Sequence, residues 1–268
     1  MIVDAHTHAA QSWFEPVEAL LFQMDRCGVE RAVLVQMFGQ YDNGYQIACA
    51  RQHPDRLVAV GQVDPAAPDV VAQLERLRED GAVGVRMRPE LRSPGDDPLL
   101  IWRTAARLGL AISCGAGGDV YLSDDFAAVL RAVGDAPVAI EHLGAFHRDG
   151  ASVEAIAPKL AHLASFPNLT IKIHGLGQFA TRAMPAPSGD DPFVRPVPPL
   201  LEAVVSAFGP SRVMWGSEYP AVSAKEGYAN ALRLPMAQLA GLSSADRDLV
   251  FGGTAARVLG RPLARHGA

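Results

Sequence analysis

Short apolar, β-branched runs alternate with longer amphipathic ones along the whole of this 268-residue chain, and that rhythm restricts it to folds built from β/α units. The strand candidates are Ile2 to His6, Ala32 to Met37, Leu57 to Val63, Val83 to Arg88, Ala111 to Gly115, Val138 to His142, Leu169 to His174 and Arg212 to Gly216. The intervening helices carry their own punctuation, a start signal in the first turn and Gly just past the last. Glu15-Pro16 is answered by Gly28, Pro68-Asp69 by Gly81, Asp97-Pro98 by Gly109, and Ser123 by Gly134. Eight repeats in a chain of this length predict an α/β fold, a (β/α)8 TIM barrel formed as a single domain over residues 1–268. Spacing alone also allows an open doubly wound sheet.

The formal net charge of −5 comes with no basic run, which speaks against nucleic-acid and membrane surfaces and leaves small molecules as partners. Apolar runs are broken by charge before the roughly 20 residues a bilayer requires. The first apolar run holds Asp4, His6 and His8 and lacks a basic leader, so no signal peptide is expected. Cys27, Cys49 and Cys114 have neither metal-type nor redox-type spacing, as expected of reduced thiols in a cytoplasmic protein. Oligomeric state, including a homo-oligomer, has no readable code.

One segment departs from the short connections typical of such barrels. Gly175 to Pro199, through Met184-Pro185-Ala186-Pro187, is too rich in Pro and Gly for a helix and longer than a usual βα loop. Loops that follow barrel strands border the catalytic face, so residues 175–199 are expected to form a lid, with Phe193 and Arg195 as substrate contacts.

Polar residues gather where strands end, the place where barrels build chemistry. In Val3-Asp4-Ala5-His6-Thr7-His8, alternation would put Asp4, His6 and His8 on one face, with the two imidazoles serving as metal ligands or proton carriers. Arg86 and Arg88 share a face of the fourth strand, leaving Val85 and Met87 for the helix layer; the chain's own carboxylates or an anionic substrate must balance the two cations. A substrate carboxylate is the preferred partner for the pair. On the seventh strand, Lys172 is expected to pair with Glu218 or a substrate acid, and His174 to move a proton. Glu218 follows the eighth strand and, across the seam with the first, can approach His6 and His8 as a general base or an anionic metal ligand.

Taken together, Val3 to His8, Gly84-Val85-Arg86, Glu141-His142-Leu143-Gly144, Gly216-Ser217-Glu218-Tyr219-Pro220 and Phe251 to Gly260 resemble the amidohydrolase-related family. This branch of the amidohydrolase superfamily holds fuconolactonase-like and 2-pyrone-4,6-dicarboxylate lactonases together with nonoxidative decarboxylases. The resemblance implies a (β/α)8 barrel whose site is formed by His6, His8, His142 and Glu218, with strand-four arginines holding substrate acids.

Two departures qualify that likeness. The eighth-strand acid is usually Asp, and the extra methylene of Glu218 moves its carboxylate by roughly 1.5 Å. Metal-dependent members tend to end strand five in His, where this chain has Ile112-Ser113-Cys114-Gly115. One divalent ion, zinc by donor type, could then rest on His6, His8 and Glu218, with His142 or Cys114 as further ligands. Metal-independent catalysis is slightly preferred. The expected activity is that of a lactonase opening a small carboxylated cyclic ester, with Glu218 activating water and His142 or His174 protonating the leaving oxygen. The alternatives are a metal-dependent nonoxidative decarboxylase and a barrel that binds a ligand without turnover.

Overall fold

Every expected apolar run becomes a strand, displaced by no more than two residues at either end. In a computed structural model, described here for residues 1–146, 152–185, 192–195 and 197–260, the strands are β1 Val3–Thr7, β2 Arg31–Val35, β3 Leu57–Gly61, β4 Gly84–Met87, β5 Ala111–Cys114, β6 Val138–Ile140, β7 Leu169–Ile173 and β8 Val213–Trp215. All ladders are parallel and the strand order is the chain order. Closure falls just beyond β8, where Glu218 N donates to His6 O (2.9 Å) and His8 N to Tyr219 O (2.8 Å). Residue 216 is glycine for a steric reason: a methyl there would lie 2.7 Å from His6 Cβ and 2.9 Å from His6 N.

The connecting helices start and stop as their punctuation directs. Helices α1 Val17–Cys27, α2 Gly44–Gln52, α3 Val70–Glu79, α4 Leu100–Arg107 and α5 Asp124–Ala132 fill the first five crossovers. Gly28 ends α1 with a left-handed φ of 69°, and Ser123 Oγ accepts from Phe126 N to cap α5. Helices α6 Val153–Ala164, α7 Leu200–Phe208, α8 Tyr228–Gln238, α9 Ser244–Asp248 and α10 Thr254–Leu259 complete the chain.

Strand alternation sorts side chains into two layers. Val85, Met87, Ile112, Cys114, Ile140, Ile171, Ile173 and Trp215 face the helices in one large apolar cluster. Inside the barrel, Val3, Ala5, Val33, Val35, Val60, Ala111, Ala139 and Met214 pack with Ala255, Val258 and Leu259 of α10, which plugs the amino end. Further toward the carboxyl ends of the strands the interior turns polar, with Arg86, Ser113, Glu141 and Lys172 all buried. The apolar floor therefore supports a charged ceiling, the site's foundation.

Part of the expected lid, residues 186–191 and 196, lies outside the described residues. The remainder folds back on itself: Arg182 and Phe193 form an antiparallel bridge, with Ala183 N donating to Pro192 O (2.8 Å) and Val194 N to Thr181 O (3.0 Å).

Candidate active site

The site is organised by an irregularity in the first strand. Asp4 pairs with Ala32 but Thr7 pairs with Leu34, so one extra residue is accommodated between them as a bulge. The bulge turns Asp4 outward, correcting the expectation that it shares a face with His6 and His8. Its carboxylate instead accepts from Tyr228 Oη on α8 (2.9 Å), Ser217 N (2.8 Å) and His6 N (3.2 Å). Burial raises Asp4 to about 6, against the pull of those hydrogen bonds. It therefore ties the β1 bulge to the residues after β8 and to the helix layer.

Inside, a buried chain of polar contacts crosses the barrel. Arg86 grips Glu141 with both Nε (3.0 Å) and Nη2 (2.7 Å), and Nη1 donates to Gln36 O (3.0 Å). Ser113 Oγ donates to Glu141 Oε1 (2.7 Å), Lys172 Nζ donates to Ser113 Oγ (2.8 Å), and Lys172 Nζ lies 3.2 Å from His6 Nδ1. Burial would raise the Glu141 carboxyl, but the charges of Arg86 and Lys172 overcome it and bring it to about 2. Burial lowers Lys172 to about 8, and Glu141 opposes that fall. Arg86 thus has a partner within the chain, and Lys172 bonds Ser113 and His6 rather than Glu218.

Above this layer four imidazoles surround one carboxylate. Glu218 Oε2 lies 3.2 Å from His6 Nε2, 3.6 Å from His142 Nε2 and 3.9 Å from His174 Nδ1, while Oε1 lies 3.6 Å from His8 Nε2. His142 and His174 stack with ring centroids 4.1 Å apart. Burial opposes ionisation of Glu218, yet His142, His8 and His174 hold it well below the usual carboxylate range. Burial likewise keeps the His6 and His174 rings well below their ordinary value, hence neutral at pH 7.

Hydrogen bonds assign several ring protons. His174 Nε2 accepts from His142 N (2.8 Å), which leaves its proton on Nδ1, facing Glu218. His8 Nδ1 lies 2.6 Å from Val35 O and donates to that carbonyl, which turns Nε2 toward Glu218 Oε1. His6 Nε2, His142 Nδ1, His174 Nδ1 and Glu218 Oε2 are buried without a hydrogen-bonded partner, as atoms awaiting a ligand would be.

Backbone strain collects at the same place. Glu218 has φ 64°, and His142, Leu143 and Ala145 have φ of 52°, 50° and 57° around Gly144. Left-handed L-residues cost roughly 1–2 kcal/mol each. The chain accepts this where it aims His142 and the only carboxylate among the described residues ringed by imidazoles.

Other expected residues are placed differently. Cys114 is buried against the helix layer, and burial pushes its thiol well up; it points away from the mouth and is not a thiolate metal ligand. The mouth-facing position on β5 is Gly115, where any side chain would collide with Glu141 Oε2 and the Phe38 ring. Phe193 is buried within the large apolar cluster. Arg195 is exposed and borders a cavity of about 490 Å³ with Phe179, Thr181 and Pro198, a space that none of the clustered histidines lines. Arg88 is exposed, with its guanidinium carbon 4.3 Å from the Phe38 ring centroid, and no carboxylate among the described residues reaches it. Arg86 lies 4.0 Å from the same centroid. Both arginines border a cavity of about 340 Å³ with Tyr41, Gln62 and Leu91. Ser113 is not among the expected site residues and Glu141 enters only within the strand-six motif, with no role assigned; both follow from strand parity, each lying two residues beyond a floor residue, Ala111 and Ala139.

His6, His142 and Glu218 each offer a ligand atom within 4.8 Å of the others, so by spacing they could hold a metal ion. Their hydrogen-bond state does not suit one. A bound imidazole turns its lone pair to the metal and donates its other N–H, which His8 does through Val35 O. At His6 the nitrogen remote from the cluster faces an ammonium donor, Lys172, so that ring does not fit as a ligand.

The described residues thus form a parallel eight-stranded barrel that brings His6 of β1, His8 just past it, His142 after β6 and Glu218 after β8 to one mouth. The chain belongs to the amidohydrolase family, whose model matches residues 3–261. It is 31% identical over 121 residues to an L-fucono-1,5-lactonase of Burkholderia multivorans, covering 45% of this chain and 40% of that one. It is 29% identical over 210 residues to an L-fucono-1,5-lactonase of Burkholderia ambifaria, covering 73% and 66%. The matches therefore span less than two thirds of either lactonase. A Burkholderia multivorans amidohydrolase, crystallised with HEPES bound, shares the fold at a TM-score of 0.76 and 23% identity, over 98% of this chain and 100% of that one. A second crystal form of that amidohydrolase holds zinc. No helix among the described residues is long and apolar enough to cross a membrane.

Proposed function

We propose that this chain is a lactonase that opens a small, anionic cyclic ester with water activated by Glu218. The observation that carries the reading is the ring of His6, His8, His142 and His174 about an ionised Glu218. Arg88, which no carboxylate among the described residues reaches, borders a cavity with Arg86, whose partner Glu141 lies 3.9 Å from His6. The relatedness to two L-fucono-1,5-lactonases supports the reading.

Glu141 neutralises Arg86, so Arg88 is the cation left to take a substrate's anionic group, with Arg86 behind it. Glu218 Oε1 lies 3.6 Å from His8 Nε2, and a water donating a proton to Oε1 beside that ring would keep a lone pair free to attack. As that oxygen adds to the ester carbonyl carbon, Glu218 takes the proton. His174 Nδ1–H and His6 Nε2–H point at the centre and supply donors for the developing oxyanion. The tetrahedral adduct then expels the ring oxygen, which receives a proton from Glu218 or His142, giving a hydroxy acid. No step requires a metal.

Hydrolysis of a panel of sugar lactones and carboxylated unsaturated lactones tests the reading. Glu218→Gln should lower kcat by roughly 10²–10⁴-fold with unchanged circular dichroism. Wild-type rates on every lactone, or no turnover by wild type on any, would defeat it. The metal-dependent decarboxylase reading draws on the His6, His142 and Glu218 spacing. It requires turnover of an aromatic or unsaturated acid that disappears on chelation.

A further inference from the structure

We infer that Lys172 is a positioning residue that decides which nitrogen of His6 faces the barrel mouth, and that it thereby makes the site a poor host for a divalent cation. The inference stands apart from ester hydrolysis and rests on proton bookkeeping around one buried ring.

Ser113 has a single hydroxyl proton, and Glu141 Oε1, a carboxylate oxygen gripped by Arg86, takes it at 2.7 Å. Ser113 Oγ must then accept from Lys172 Nζ, 2.8 Å away. The enclosed groups balance when Lys172 is an ammonium: Arg86 and Lys172 against Glu141 and Glu218, with the neutral His6 and His174 rings between. An ammonium has three N–H groups and no lone pair, so its 3.2 Å contact with His6 Nδ1 runs one way. His6 therefore keeps its proton on Nε2, the nitrogen 3.2 Å from Glu218 Oε2.

A cation held by His6, His142 and Glu218 needs the opposite tautomer, with the Nε2 lone pair directed at the ion and Nδ1 donating outward. That would leave an Nδ1–H pointing at an ammonium with no acceptor between them. His8 is the internal contrast, since its outward nitrogen donates to Val35 O. Two histidines two residues apart thus have opposite Nδ1 roles, a donor to a carbonyl in His8 and an acceptor from a lysine in His6. Glutamine at position 172 offers an amide oxygen as well as N–H donors, so it can accept from Nδ1 and permit the metal-binding tautomer.

The test uses the full chain and zinc alone. Wild type, Lys172→Gln and Lys172→Met are titrated with zinc against a competing chelator, and bound metal is counted after desalting. Lys172→Gln should bind one zinc per chain at least tenfold more tightly than wild type, and adding His6→Ala should abolish the gain. Equal affinity in wild type and variants overturns the inference. A buried lysine variant can fail to fold, so the His6 tautomer is also read in wild type by long-range ¹H–¹⁵N correlation, assigned by the signals lost in His6→Ala. A protonated Nε2 with a bare Nδ1 is expected; a protonated Nδ1 overturns the inference whatever the variants do.

Discussion

Removing the charge of Glu141 while keeping its shape tests whether the barrel's polar layer is stabilised as a unit. Glu141→Gln turns the bidentate acceptor of Arg86 into an amide and leaves Arg86 and Lys172 buried without their shared counter-charge. Breaking a buried pair from one side costs about 3–5 kcal/mol, because the orphaned ion stays desolvated. Proton linkage gives a second route to the same size. Glu141 has its carboxyl at about 2 in the fold against an ordinary 4.5, and a gap of that width is worth about 3 kcal/mol. A depressed folded value means that this stabilisation is complete above pH 4.5 and is lost as pH falls through 2. Equilibrium urea unfolding at pH 7 should therefore show Glu141→Gln less stable by about 3–5 kcal/mol, with a melting temperature lower by on the order of 10 °C. Between pH 4.5 and 2 its stability should fall less steeply than that of wild type. The cycle with Arg86→Met should be non-additive by at least ~1 kcal/mol, since the two side chains touch. A Glu141→Gln protein within 0.5 kcal/mol of wild type, or strict additivity with Arg86→Met, would refute a shared buried network.

Two further outcomes separate binding from architecture. Arg88→Ala should raise KM for an anionic lactone about 10–100-fold, the worth of a charged hydrogen bond, with the urea midpoint unmoved because the side chain is exposed; steady-state kinetics on anionic and neutral lactones of one ring size check it. Gly216→Ala should shift His6, which a methyl would approach to 2.7 Å at Cβ, and lower both stability and kcat by roughly tenfold or more; unfolding and turnover measured on one preparation check it.

The strands and the convergence at the mouth were legible because both follow from local rules. Short apolar, β-branched runs between helices that glycines close mark the strands, and barrel closure brings the residues after β8 against β1, which is how Glu218 comes within 3.2 Å of His6. Partner choice was much less legible, since it depends on which side chains meet across strands far apart in sequence. Arg86 is opposed by Glu141 from 55 residues away, so the preference for a substrate acid as partner to both arginines leaves Arg88 alone in that role. Strand parity applied throughout would have found more than was taken from it: placing Ala111 on the barrel floor puts Ser113 inside and Cys114 among the helices. The same parity misleads at β1, because the extra residue between Asp4 and Thr7 turns Asp4 to the helix side while His6 and His8 stay with Glu218. Nothing local marks that bulge. It is fixed by what Asp4 gains outside, Tyr228 Oη and Ser217 N, and those bonds draw the residues after β8 toward β1. An acid at the outer face of the first strand thus helps to place the acid at the inner mouth. Asp4 and Glu218 are linked through Ser217, one residue from each other's hydrogen bonds, so the site's geometry is held from the helix layer as firmly as from within the barrel.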